Sequence, residues 1–297
     1  MKKRYGIVVI VVLLLAVGVG VYVYFNQDIQ LIRSLTKQMD FTHFTYEMTV
    51  ELDESSFSEE QVQLLSRADS LTGSTLMEHP VLHLSGGVAN TKIYTQVFTE
   101  GMEAPLTELY FSDEKDLLNG AMFYQAVRKK LMQKSSLLEY LLPDWNDHQY
   151  VTFEQMEQMF GLNLQAASRF SLAMPKRLGV EQVVAGLAEL DREKLPDGTL
   201  IYRLEREDLS MELTFREDGT EPLSVHCTAV HPAEQIAEIE VVLAKLGLFI
   251  DSNSFKSIKS VELEMIPNAN LAIYIPDDTV SQEIVNGIEK IRSFFQE

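Results

Sequence analysis

From Tyr5 to Phe25 the chain runs for 21 residues without a charged or amide side chain, directly after Met1-Lys2-Lys3-Arg4. A helix rises about 1.5 Å per residue and the hydrocarbon core of a bilayer is about 30 Å thick, so about 20 apolar residues cross it. The run therefore predicts a transmembrane helix over 5–25, which takes those residues out of any water-soluble core. Tyr5 stands at one end and Tyr22, Tyr24 and Phe25 at the other, and amphipathic rings favour the headgroup boundary. The cations ahead of the span predict residues 1–4 in the cytoplasm and residues 26–297 outside. Cleavage as a signal peptide after Ala16-Val17-Gly18 is the alternative; seven further apolar residues beyond Gly18 favour an uncleaved signal-anchor.

The sole cysteine is Cys227, so neither a lipidated N-terminal cysteine nor an internal disulfide is possible. Its place among alternating apolar residues predicts a buried, inert thiol. Residues 26–297 keep 22 of the 25 cations and all 44 acids, a formal charge of −22. Such a surface repels nucleic acid and anionic membranes, and it suits solubility outside the cell. The nearest approach to a calcium loop, Asp144-Trp145-Asn146-Asp147-His148, has Gln149 where glycine belongs and Gln155 where a bidentate glutamate belongs.

Beyond the span, Ile29, Ile32, Leu35 and Met39 recur at helical spacing over 28–39. From Phe44 the period changes to two: Phe44, Tyr46, Met48, Val50 and Leu52 alternate with polar residues, the mark of a strand with one buried face. A helix is expected over 58–71, with Val62, Leu65 and Leu71 inward and Ser56 with Glu59 as a capping box. Strands are expected at 81–88, 91–99 and 106–111. The stretch 113–142 reads as mostly helix ended by Pro143, and Thr152 with Gln155 forms a second capping box that opens a helix closed by Gly161. More helix is expected through 164–190. Alternation then returns at 200–204, 209–215 and 223–229, with Asp218-Gly219 as a hairpin turn. A helix from Pro232 to Gly247, strands at 256–266 and 270–275, and a terminal helix carrying Val280, Ile284, Ile288 and Ile291 complete the pattern. No repeat or interdomain linker interrupts it. The expected fold class is α+β: a curved antiparallel sheet of about seven to nine strands packed with amphipathic helices, preceded by one N-terminal transmembrane helix.

Catalytic signatures are missing. There is no G-x-S-x-G, no P-loop and no dinucleotide fingerprint, and Ser34-Leu35-Thr36-Lys37 lacks the companion motifs of an S-x-x-K enzyme. Of the histidines His43, His79, His83, His148, His226 and His231, only His79 and His83 are four apart, and Pro80-Val81-Leu82 between them argues for a strand in which they stand roughly 13 Å apart, too far for one ion, so no metal or cofactor is expected. What remains is apolar surface. A curved sheet face lined by Tyr46, Met48, Met211 and Phe215 is either an ordinary core under helices or the lining of an apolar-ligand cavity.

Ile201-Tyr202-Arg203-Leu204, Leu209-Ser210-Met211-Glu212-Leu213-Thr214-Phe215, Asp218-Gly219 and Pro222-Leu223-Ser224-Val225 together resemble the meander of the LolA/LppX-like exported bacterial domain superfamily over about residues 199–266. The resemblance implies a half-barrel envelope protein that carries a lipid or other apolar ligand, and it brings no catalytic motif with it. The chain differs in having an anchor in place of a lipidated cysteine and a long C-terminal helix. The expectation is a non-enzymatic interaction, scaffold or sensor protein of the bacterial envelope with a protein partner, the apolar-ligand binder being the alternative. External protease on intact cells will digest the bulk of the chain; protection until lysis would reverse the assigned topology.

Overall fold

The computed structural model describes residues 42–134, 145, 149–160, 190–216, 223–235, 256–277 and 279–296. The expected span 5–25, the helix at 28–39, all but the last residue of the helix at 164–190, the Asp218-Gly219 turn, the Gly161 cap and most of the helix after Pro232 lie outside the described residues. Among the described residues no helix is long and apolar enough to cross a membrane.

Eleven strands form one sheet: β1 (His43–Leu52), β2 (Val81–Ala89), β3 (Lys92–Thr99), β4 (Thr107–Phe111), β5 (Leu117–Leu118), β6 (Val151–Thr152), β7 (Asp191–Lys194), β8 (Thr199–Arg206), β9 (Leu209–Arg216), β10 (Ser224–Val230) and β11 (Ile258–Pro267). Their order is β6-β5-β4-β3-β2-β1-β11-β10-β9-β8-β7. Two meanders in sequence order thus meet where β1 pairs antiparallel with β11. Among the described residues the complete α-helices are α1 (Glu59–Thr72), α2 (Ala121–Lys134), α3 (Phe153–Phe160) and α4 (Gln282–Gln296), of 8 to 15 residues.

This corrects the expected α+β fold with its smaller, helix-packed sheet: the described chain is mostly one large antiparallel sheet with few short helices. The added strands β5, β6 and β7 are two to four residues long, too short for a period-two signal. All four residues of β7 are charged and exposed, as suits an edge strand that must not template further pairing. Conversely, 270–275 is not a strand; Leu271 instead lies over Gly87, where a Cβ would come within 2.7 Å of its Cδ2. That close approach explains a glycine inside β2. Val62 on α1 is 36% exposed rather than inward. Ser56 belongs to a 3-10 turn, its hydroxyl donating to the Asp53 carbonyl at 2.7 Å, so it does not cap α1.

The described residues cluster into two compact units, one drawn from 1–56, 83–90 and 170–272, the other from 57–82, 91–169 and 273–297. In the first, side chains one row apart meet across the sheet. Met48 faces Leu263, which faces Cys227, which faces Met211, and all four are buried. Rows of this kind continue through Val50, Val261, Ala229 and Leu209. The opposite face is polar: Glu47, Glu264, His226, Glu212 and Arg203 form one row. Arg203 bridges Glu212 at 2.8 Å and Glu193 at 2.6 Å, exposed pairs that solvent screens.

The second unit holds β3 to β6 and the four helices. Its core joins Leu118, Ala121, Tyr124, Trp145, Val151, Met156, Met159, Val280, Val285 and Ile288. The Thr152 capping box forms: the Gln155 backbone N–H donates to Thr152 Oγ1 at 3.1 Å, and the Thr152 N–H donates to Gln155 Oε1 at 3.0 Å. Trp145 packs on Tyr124 at 5.2 Å between ring centroids and donates its indole N–H to the Gln149 carbonyl at 3.0 Å. It also touches the space a Cβ would take at Gly120. Trp145→Ala will lower unfolding free energy by about 3–5 kcal/mol, the range for emptying a large aromatic site, in urea titration followed by circular dichroism. Tyr274→Ala, at a ring 84% exposed, will change it by less than about 0.5 kcal/mol.

Candidate functional site

Alternation along β3 buries Ile93, Thr95, Val97 and Thr99, which leaves Tyr94, Gln96 and Phe98 on the other face, half-buried. The antiparallel register then sets Tyr94 opposite Tyr110 and Gln96 opposite Glu108. Tyr150, just before β6, is held by a bridge to Thr279 and by the Val280 N–H, which donates to its carbonyl at 2.8 Å. All of these residues lie in the second unit.

Their polar ends meet at one carboxylate. Glu108 Oε1 accepts from the Tyr94 hydroxyl and from Gln96 Nε2, both at 3.0 Å, and Oε2 accepts from the Tyr150 hydroxyl at 2.8 Å. The rings touch as well: Tyr94 and Tyr110 lie 4.7 Å apart at 35°, and Tyr110 meets Tyr150 edge-on at 5.3 Å. Contacts of this geometry contribute about 0.5–1.5 kcal/mol beyond area burial. Burial, followed by the neighbouring Glu108 charge and hydrogen bond, pushes the Tyr94 and Tyr150 hydroxyls well above the ordinary tyrosine range, and burial raises Tyr110 too. These hydroxyls are fixed donors, not bases near neutral pH. Among the described residues no lysine, arginine or histidine nitrogen lies within 4.0 Å of Glu108.

The residues expected to line an apolar cavity fall in the first unit. Met48, Met211 and Phe215 are buried and Tyr46 is half-buried, all on the same face of the sheet. Two strands, β11 and β10, separate the Tyr46–Met48 pair from Met211 and Phe215, so the four line a face rather than converge on a point. Cys227 is buried on that face, and burial pushes its thiol up to about 12. Histidines take ordinary partners: His43 Nδ1 meets Thr42 Oγ1 at 3.0 Å, His83 Nδ1 meets Thr49 Oγ1 at 3.1 Å, and His226 Nε2 lies 3.6 Å from Glu262. Among the described residues no three histidine, cysteine, aspartate or glutamate side chains are grouped to hold a metal. His148 and most of the Asp144–His148 stretch lie outside the described residues. A separate open groove of about 360 Å³ runs along α2 beside Gln125, Arg128, Lys129, Met132 and Gln133.

Sequence reasoning passed over the Glu108 cluster. Its signal was present in Tyr94-x-Gln96 and Glu108-x-Tyr110, which alternate on two adjacent strands, but only the register joins them. No protein-family model matches this sequence, and no curated protein matches it.

A tyrosine whose folded-state pKa is raised stabilises the fold fully below its unfolded value of about 10, and that stability is lost as pH rises towards the folded value. Urea midpoints will therefore fall progressively above about pH 10. In Glu108→Gln the alkaline loss will be smaller, and phenolate absorbance will show Tyr94 and Tyr150 ionising earlier than in the parent chain.

Proposed function

We propose that this chain is a non-enzymatic interaction protein of the bacterial cell envelope. Residues 5–25 anchor it, residues 1–4 remain in the cytoplasm, and the β3–β4 face around Glu108 meets a protein partner outside the membrane. The observation that carries this reading is a half-buried carboxylate held by three neutral donors beneath contacting tyrosine rings. Tyrosine supplies large, rigid, amphipathic contact area at low entropic cost and is enriched where proteins bind one another. A carboxylate whose donors are all protonated at neutral pH offers fixed charge for recognition rather than a proton to transfer. The acidic, anchored exported part keeps such a face in solution and apart from the anionic membrane surface.

A photoreactive side chain in place of Phe98, in the full chain in cells of its own host, will yield a discrete protein adduct that the same group in place of Glu205 does not. Adducts to lipid alone would overturn this reading in favour of an apolar-ligand binder, and no adduct at position 98 would overturn it outright.

A further inference from the structure

The Glu108 cluster is incomplete in a way that specifies what completes it. A carboxylate offers about four acceptor sites. Oε1 takes two hydrogen bonds and Oε2 takes one, so about one acceptor site remains, on Oε2. Every donor that Glu108 meets is neutral, and among the described residues no lysine or arginine nitrogen lies within ion-pairing distance of it. A half-buried carboxylate in that state carries the cost of partial desolvation without an opposite charge to offset it. Beside it, Tyr94 and Tyr110 stack on one another at a 35° tilt, 4.7 Å between centroids, and both residues are half-buried.

From this geometry, resting on the interaction reading above, we infer that the β3–β4 face captures an arginine side chain of a partner protein. The guanidinium stacks on the outer face of the Tyr94 ring, away from Tyr110, while one N–H donates to Glu108 Oε2. A guanidinium suits the site better than an ammonium for two reasons. It is planar and weakly hydrated, so it stacks on aromatic faces and loses little water on half-burial. An ammonium is a compact, strongly hydrated charge with three donors to satisfy, and the carboxylate has about one acceptor site to spare. The charge of −22 on residues 26–297 adds attraction for a cationic partner at long range.

The test uses the full chain in detergent micelles with isotope-labelled tyrosine rings. It is titrated with N-acetyl-arginine amide, with its neutral isostere N-acetyl-citrulline amide, and with tetramethylammonium. The arginine compound will shift the Tyr94 and Tyr110 resonances saturably, and citrulline will bind at least about tenfold more weakly, as loss of a charge-assisted hydrogen bond requires. Glu108→Gln, which keeps the acceptor oxygen and the size of the side chain, will reduce arginine binding by a similar factor with its near-native circular dichroism retained. Equal shifts from citrulline, or from tetramethylammonium, would overturn the arginine assignment; the comparison among probes stands on the parent chain even if the variant misfolds. A persistent protein adduct at position 98 alongside that result would leave the broader interaction reading intact, so the two failures are distinguishable.

Discussion

The pairing of β1 with β11 is the contact on which the architecture depends. It joins Phe44 to Pro267 and runs to Leu52 against Ile258, so it closes a loop of more than two hundred residues, at an entropic cost of about 5 kcal/mol by polymer scaling. What offsets that cost is a continuous buried row on one face. Val50 meets Val261, Met48 meets Leu263 and Tyr46 meets Met265, and β10 extends each row with Ala229, Cys227 and Val225. A slip of one residue would send this set to the solvent face and bring Glu47, Thr49 and Glu51 inward. Register is therefore enforced by the cost of burying carboxylates.

With that seam in place, the two meanders need only local pairing. On the β7 side, antiparallel pairing of successive strands carries the apolar rows outward until the charged edge strand ends them. On the β6 side the strands shorten, and side chains from α2, α3 and α4 complete the core around Trp145 and Met159. The capping box at Thr152 starts α3 directly from β6, which keeps Tyr150 at a fixed distance from the strands.

The Glu108 cluster draws on the same mechanics. Two cross-strand pairs deliver Tyr94, Tyr110, Gln96 and Glu108, and a residue more than forty positions later closes the ring through its hydroxyl. The Tyr94 and Tyr150 hydroxyls each donate a hydrogen bond to the carboxylate, so the charge at its centre is displayed rather than cancelled. Elsewhere on the polar surface, by contrast, Glu212 and Glu193 are bridged by Arg203, and Glu51 by Lys259. Hydrogen bonding to Lys259 and to Arg203 holds Glu51 and Glu212, respectively, below the usual carboxylate range.

Period-two alternation by itself determined most of the long strands: β1, β3, β9, β10 and β11 follow residues whose apolar members must share a face, and that is a local property of the chain. The Thr152 box and the stripe of Ile284 and Ile288 on α4 were legible for the same reason, whereas Val280, expected on that helix, precedes its first turn. Strands of two to four residues were not, because a period cannot be read from so few positions; β5 and β6 exist only because β4 offers them backbone partners. Residues 270–275 carry strand-like apolar alternation yet gain no partner, and Leu271 folds over Gly87 instead. The Glu108 cluster belongs to the same class of fact. Its residues are unremarkable one by one, and their convergence depends on the β3–β4 register and on the bridge that seats Tyr150, contacts between segments that no local pattern encodes.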